Sequence, residues 1–118
     1  MSENPVIKPT KRIYQYQFEI SEWSKQNFTQ DPIDPLLGIT EEVGELNHAV
    51  LKQRQGIRKG VDPVVSKALI EDALGDIFIY MCDFAQRNNI DLEFAIRDTW
   101  EKVSKRNWVE NKETGIKD

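Results

Sequence analysis

The sequence predicts an all-α protein built as a four-helix bundle. Apolar residues recur at helical spacing in four segments, and no stretch alternates apolar and polar residues as a half-buried strand does. Glycines and prolines separate the segments by connections of the short length that helical bundles use. At 118 residues the chain suits one domain, so we expect residues 1–118 to form a single unit.

The predicted helices follow one another with short breaks. Residues 1–9 are polar and contain two prolines, and the last residues, 109–118, are also polar, so we expect both ends to be flexible. Asp91 is expected to cap the start of the fourth helix. The predicted helices cover residues 11–28, 36–55, 64–89 and 92–108.

The composition argues against several classes of protein. Twenty acidic and 16 basic residues give a net charge of -4, whereas nucleic-acid and membrane-surface binders need a basic surface. The single cysteine, Cys82, favours neither a disulfide framework nor a zinc site. The first residues lack a signal peptide's apolar region, and no apolar run nears the roughly 20 residues of a membrane span. We therefore expect a cytoplasmic protein with no nucleic-acid or membrane partner.

The third predicted helix combines apolar residues on nearly every side with two aspartates. A helix of this kind is expected to be buried in a bundle or between subunits, which predicts a homo-oligomer, a dimer or a tetramer. Asp72 and Asp76 lie four residues apart and share one face. Buried carboxylates must be paired, protonated or bound to a metal, and few basic residues are near. Cation binding is the interpretation that we favour.

The stretch "ITEEVGELNHAV" on the second predicted helix adds three glutamates. Glu42 and Glu45 share a face, and Glu41 flanks it. Gly44 and Gly75, each beside a carboxylate, predict that the two helices approach closely there, since glycine in a helix interior costs about 1 kcal/mol relative to alanine. Oxygen ligands without paired cysteine or histidine suit Mg²⁺, with Mn²⁺ as the alternative.

Three motifs carry a resemblance to a known family. "EEVGEL", "EDALGDIFIY" and "EKVSKRNW" resemble the MazG-like branch of the all-α nucleotide pyrophosphohydrolases, over about residues 18–108. The resemblance implies metal ligands at Glu42, Glu45 and Asp76. The family's second motif has a glutamate three residues before Asp76, where this chain has Ala73. Asp72 stays on the same face and is our fourth ligand, with Glu71 as the poorer candidate.

The resemblance also implies an activity. Members of this family hydrolyse nucleoside triphosphates between the α and β phosphates, with a house-cleaning role towards modified or surplus nucleotides. We expect Mg²⁺ at the carboxylates and assign Glu41 to position or deprotonate the attacking water. Arg58 and Lys59 are left unassigned, because loop cations are usually solvated. The predicted substrate-binding residues are Trp23 and Tyr80 for the base and Lys52, Lys102, Lys105 and Arg106 for the phosphates.

Three other functions stay open at this point. A phosphoribosyl-ATP pyrophosphohydrolase would share the bundle and the acids. A non-catalytic helical module would use the acids structurally or bind metal without turnover. Glu45 and His48 have the Glu-x-x-His spacing of di-iron carboxylate bundles, although with one histidine in the chain such a site would need two subunits.

Overall fold

A computed structural model describes residues 10–117. They form α1 (Ile13–Asn27), α2 (Asp34–Gln55), α3 (Pro63–Arg87) and α4 (Leu92–Val103), with a 3-10 turn (Arg58–Val61) between α2 and α3. The all-α prediction is confirmed, because none of these residues belongs to a strand. The predicted flexible arm, residues 1–9, lies outside the described residues.

The helix boundaries follow local chemistry. The left-handed conformation of Gly56, with φ at 66°, ends α2. Asp62 starts α3, since its side chain accepts the backbone N–H groups of Val64 and Val65. Asp91 caps α4 by accepting the backbone N–H of Phe94, which confirms its predicted role. From residue 10 to residue 117, no helix is long and apolar enough to cross a membrane.

The third helix holds the chain together. α2 packs along α3 as a helical hairpin, and α1 packs on another side of α3. The small buried core comprises Cys82, Ala85 and Leu92. Four half-buried apolar side chains pack against this core: Ile13, Ile20, Phe78 and Met81.

The fourth helix does not complete a bundle within one chain. α4 contacts α1 and α3, and none of its residues contacts α2. Beyond the buried Leu92, its large apolar side chains are exposed, and Trp100 is 64% exposed. The described residues of one chain therefore do not close a four-helix bundle, and the predicted homo-oligomer stays a prediction.

The end of α4 differs from the prediction. The helix was expected to reach Trp108, but it ends at Val103. Asn107 starts a separate turn beyond the helix, because its side chain accepts the backbone N–H groups of Val109 and Glu110 and its own N–H donates to the Gly115 carbonyl at 2.7 Å. Residues 109–117 continue as turns, and the expected flexibility of the tail stays a prediction.

A buried ion pair on α3, between Arg87 and Asp83, binds the segment that connects α1 to α2. Arg87 donates to both carboxylate oxygens of Asp83 at 3.0 and 2.9 Å, and the Ser24 hydroxyl donates to the same carboxylate at 2.9 Å. The guanidinium also donates to the carbonyls of Thr29 and Asp31 at 2.9 and 2.8 Å. These bonds fix the start of α2 relative to α3, and therefore the facing positions of their carboxylates.

Candidate metal centre

A cavity of about 660 Å³ lies between α2 and the first half of α3, and residues of the 3-10 turn line one end of it. Side chains from all three elements line it. The lining residues that bear charge or can donate hydrogen bonds are Glu41, Glu45, His48, Lys52, Arg58, Lys59, Ser66, Asp72 and Asp76.

The carboxylates gather at the end of the cavity away from the turn. Glu41, Glu42 and Glu45 can each place one oxygen within 4.8 Å of the oxygens of the other two. Asp72 and Asp76 belong to the wall that α3 contributes. The hairpin therefore brings Glu41 and Glu45 to the same cavity as the two aspartates of α3, whereas Glu42 clusters with its neighbours on α2 and does not line the cavity.

Glu42 is the buried member of this group. Its residue surface is 9% exposed, and its Oε2 atom has no hydrogen-bond partner among the described residues. Burial raises the pKa of Glu42 above its ordinary value, and the charges of Asp76, Glu45, Glu41 and Asp72 raise it further. Four other carboxylates thus lie close enough to Glu42 to disfavour its charged form, which is the electrostatic condition that a bound cation relieves.

The burial of the aspartates differs from the prediction. Both were expected to be enclosed by apolar surroundings, but Asp72 is exposed and Asp76 is half-buried. The apolar sides of α3 are incompletely covered within one chain, as the 53% exposure of Leu74 shows. The aspartates face the open cavity, and the buried carboxylate is the one on α2.

Asp72, the predicted variant ligand, lies on the cavity side of α3. Asp72 and the neighbouring Ala73 line the cavity, whereas Glu71 is exposed and does not line it. A cation held between α2 and α3 would therefore be within reach of Asp72.

The predicted role of two glycines is wrong. A Cβ atom added at Gly44 or Gly75 would meet nothing within 4 Å, because both glycines are exposed, Gly44 towards the carboxylate cavity. Close approach occurs at two other glycines. A methyl group at Gly38 would overlap the ring of Tyr80, and one at Gly60 would overlap the backbone of Lys52.

A second cavity, of about 340 Å³, adjoins the carboxylate cavity. Tyr80, Phe28, Leu37 and Gly38 contribute to its walls, and Glu41 belongs to both cavities. Partial burial raises the pKa of Tyr80, with a further contribution from the Glu41 charge. The predicted base-binding tyrosine therefore lies next to the carboxylates, in a separate cavity.

The other predicted base-binding residue lies elsewhere. Trp23 is 49% exposed on α1, and its ring meets Phe28 edge-on at 5.6 Å between centroids. It lines neither the carboxylate cavity nor the adjoining one.

The predicted phosphate ligands fall into two groups. Lys52 lines the carboxylate cavity. Lys102 pairs with Asp98 at 3.2 Å and Lys105 with Glu101 at 2.8 Å, while the Arg106 guanidinium lies 5.8 Å from the centroid of the Trp108 ring. These three cations lie at the end of α4 and just after it, and one chain does not bring them to its own cavity.

Sequence reasoning missed part of the cavity lining. Arg58, Lys59 and Gly60 reach it because the 3-10 turn folds back against the end of α2, which the predicted loop did not specify. Gly60 was the available signal, since it permits contact with the Lys52 backbone. Ser66 also lines the cavity, and no motif indicated it. His48 lies on the cavity side of α2, between the acidic and basic ends.

The donor set fits a hard divalent cation. Carboxylate oxygens are the ligands available at the acidic end, and one of them is buried without a partner. Mg²⁺ and Mn²⁺ prefer such oxygen ligands. The single histidine lies one turn along α2 from Glu45 and lines the same cavity.

Comparison with known families places this geometry in context. A family model described as the MazG nucleotide pyrophosphohydrolase domain matches residues 30–109. No curated protein matches the chain. The matched range contains α2, α3 and α4 and leaves out α1, which nevertheless packs on α3.

Proposed function

Because this chain belongs to the MazG nucleotide pyrophosphohydrolase family, we propose that it hydrolyses nucleoside or deoxynucleoside triphosphates to the monophosphate and pyrophosphate with Mg²⁺. We further propose a house-cleaning role towards modified or surplus nucleotides. The contact of α1 with α3 supports treating residues 1–118 as one domain.

One observation carries the proposal. Four carboxylates from facing helices, Glu41, Glu45, Asp72 and Asp76, line one cavity large enough for a nucleotide's phosphates. The buried Glu42 clusters with Glu41 and Glu45, and its Oε2 atom lacks a hydrogen-bond partner among the described residues. As a set of ligands, Glu42, Glu45, Asp72 and Asp76 would hold the metal. When bound, Mg²⁺ supplies charge neutralisation at the phosphate oxygens and orients a water.

The remaining residues bind and position the substrate. Glu41, at the boundary of the two cavities, accepts a proton from the attacking water. The base lies towards Tyr80, whose ring is fixed against Gly38. Lys52, on the far side of the carboxylates from Tyr80, binds phosphate oxygens. Trp23 would contribute to the base site through a rearrangement of α1 or from another subunit.

We propose a homo-oligomer in which the end of α4 approaches the cavity of another subunit. The apolar stripe of α4 is exposed, with Ile96 at 38% and Trp100 at 64%, and exposed apolar patches of this kind mark interfaces. Lys102, Lys105 and Arg106 would then bind phosphate across the interface. Light scattering gives the oligomeric mass. Mixing Asp72→Asn and Arg106→Ala proteins should restore activity if subunits share sites, and a mixture as inactive as its parents argues against sharing.

The activity is tested with a panel of nucleotides and Mg²⁺. The panel contains the common nucleoside and deoxynucleoside triphosphates, modified triphosphates and phosphoribosyl-ATP. Monophosphate and pyrophosphate should appear from at least one triphosphate and disappear when EDTA is added. Absence of both products from every member would refute the proposal, and turnover of phosphoribosyl-ATP alone would assign the chain to that activity.

A pair of adjacent substitutions tests the ligand set. Asp72→Asn should lower kcat/KM by at least about 100-fold, because loss of a direct ligand exceeds the roughly 10–100-fold effect of losing a residue that orients a ligand. Glu71→Gln, on the exposed side of α3, is the matched control and should retain most of the activity. The opposite result would place the variant motif at Glu71.

A further inference from the structure

The charge of the carboxylate cavity reverses along its length. Glu41, Glu45, His48 and Lys52 occupy one face of α2 at helical spacing and all line the cavity. With a rise of about 1.5 Å per residue, about 10 Å separates Glu45 from Lys52 along the helix axis. The stripe therefore passes from carboxylate to ammonium within about two turns.

The 3-10 turn extends the positive end. Arg58 and Lys59 line the cavity beside Lys52. Within residues 10–117, no carboxylate oxygen lies within 4.0 Å of the charged nitrogens of these three side chains. Lys102 and Lys105, in contrast, have such partners. The cationic end is thus a cluster of three charges not neutralised by a salt bridge, facing an acidic cluster across one cavity.

Ser66 gives this end a second, independent feature. It lines the cavity from the first turns of α3, it is 1% exposed, and its hydroxyl has no hydrogen-bond partner among the described residues. A buried hydroxyl without a partner costs free energy that a ligand oxygen can recover. The hydroxyl can donate to an anion that enters between the helices.

The backbone at the start of α3 does not provide the anion site. The Asp62 side chain accepts the N–H groups of Val64 and Val65, and the Asp62 carbonyl accepts that of Ser66. A ligand would meet side chains here instead of free helix N–H groups. Arg58 has a left-handed backbone conformation, with φ at 54°. Glycine adopts this conformation without strain, whereas an arginine here costs free energy.

We propose that Lys52, Arg58, Lys59 and Ser66 form the subsite for the β and γ phosphates and for the pyrophosphate product. The inference rests on the proposed function and fixes the direction of the substrate. The α phosphate lies among the carboxylates, the nucleoside lies towards Tyr80, and the γ phosphate points to the 3-10 turn. The water oxygen bonds to the α phosphorus, the bond from that phosphorus to the bridging oxygen breaks, and that oxygen leaves on the pyrophosphate with the electron pair.

His48 lies between the two ends. It follows Glu45 by three residues and precedes Lys52 by four, so it lies on the same face of α2 between them. In the proposed orientation of the substrate, this position is beside the oxygen that joins the α and β phosphates. We assign it as a positioning residue for the β phosphate. Under this assignment, the single histidine of the chain contacts phosphate and is not a ligand of a di-iron site.

The subsite is tested by calorimetric binding of inorganic tripolyphosphate and pyrophosphate to the full chain in Mg²⁺. Arg58→Gly is the informative variant, because glycine suits the φ of 54° and its thermal midpoint should not fall. Its affinity for tripolyphosphate should fall roughly tenfold, the effect of losing one hydrogen bond to a charged group. Ser66→Ala should weaken binding in the same direction.

A charge-matched control separates local contact from general attraction. Arg54 is an exposed residue on α2 outside the cavity lining, so Arg54→Ala should leave tripolyphosphate binding unchanged. Equal losses for Arg54→Ala and Arg58→Gly would overturn the subsite in favour of a nonspecific electrostatic effect. Binding of a nucleoside monophosphate should be the same in Arg58→Gly as in the unmodified protein.

The outcomes distinguish this inference from the proposed function. If the protein binds tripolyphosphate through Arg58 but hydrolyses no nucleotide, the activity is wrong and the subsite stands. If it hydrolyses triphosphates while Arg58→Gly keeps its affinity for tripolyphosphate and pyrophosphate, the subsite is wrong and the activity stands. Failure of the unmodified protein to bind tripolyphosphate also overturns the subsite.

Discussion

Replacement of Glu42 by glutamine should stabilise the metal-free protein. Glu42 is 9% exposed, its Oε2 atom has no partner among the described residues, and four other carboxylates surround it. Glutamine keeps the shape of the side chain, removes its charge and supplies an N–H₂ group that can donate hydrogen bonds to the neighbouring carboxylates. The substitution therefore removes a destabilising charge while leaving the packing of α2 on α3 unchanged.

The expected magnitude follows from the unsatisfied group. Leaving one buried polar group without a partner costs about 1–3 kcal/mol, and more when the group is charged. In EDTA at neutral pH, Glu42→Gln should raise the free energy of unfolding by about that amount. For a domain of this size, each kcal/mol moves Tm by roughly 4 °C.

The effect should depend on pH with a defined sign. Burial, followed by the nearby charges, raises the pKa of Glu42 above 4.5 in the folded state, so folding favours the protonated form. Its contribution to stability is fully present below the unfolded pKa of about 4.5 and is lost as the pH rises through the raised folded pKa. The advantage of Glu42→Gln in EDTA should therefore be small at acidic pH and grow as the pH rises.

The assay is thermal unfolding of both proteins in EDTA and in saturating Mg²⁺. A cation at 100 times its Kd stabilises the folded state by about 2.7 kcal/mol, so Tm of the unmodified protein should rise with Mg²⁺ and that of the variant should rise less. Glu71→Gln, outside the cavity, should behave as the unmodified protein. A lower Tm for Glu42→Gln in EDTA, or a difference that shrinks as the pH rises, would refute the reasoning.

Two further predictions concern the framework of the hairpin. Arg87→Met should lower the free energy of unfolding by about 3–5 kcal/mol in urea titrations, because it leaves the carboxylate of Asp83, which is 7% exposed, without its cation. The control is Arg97→Met, which replaces an arginine 66% exposed and should leave the urea midpoint nearly unchanged. Equal effects of the two substitutions would contradict this explanation. Gly38→Ala should destabilise the protein by about 1–3 kcal/mol, since its methyl group would overlap the ring of Tyr80. Gly44→Ala should stabilise the protein by about 1 kcal/mol, since a methyl group there meets nothing. Thermal melts that reverse this order would show that the helices pack differently.

The sequence predicted the elements that depend on local chemistry. Helix periodicity located all four helices, and the predicted cap at Asp91 depends on side-chain preferences within a few residues. The shared faces of Glu42 with Glu45 and of Asp72 with Asp76 follow from helical spacing alone. The choice of Asp72 over Glu71 also rests on that spacing, and the cavity lining agrees with it.

The sequence did not predict features that depend on how elements meet. Burial was assigned to the aspartates of α3, but the enclosed carboxylate is Glu42, because enclosure depends on which face of α2 turns towards its neighbour. The cations of the 3-10 turn reach the cavity through a contact at Gly60 that no periodicity encodes. The separation of α4 from α2 likewise depends on how the helices pack, which helical spacing does not encode.

The helical hairpin has a consequence for how the protein can change. The five carboxylates, the histidine, the 3-10 turn and Ser66 all lie between residues 41 and 76, so the proposed metal ligands and the proposed subsite for the β and γ phosphates are encoded in one continuous segment. The surfaces expected to contact the base come largely from outside that segment, including Phe28 and Tyr80. If the proposed function holds, substitutions outside this segment would change the choice of nucleotide while the proposed metal ligands stay the same.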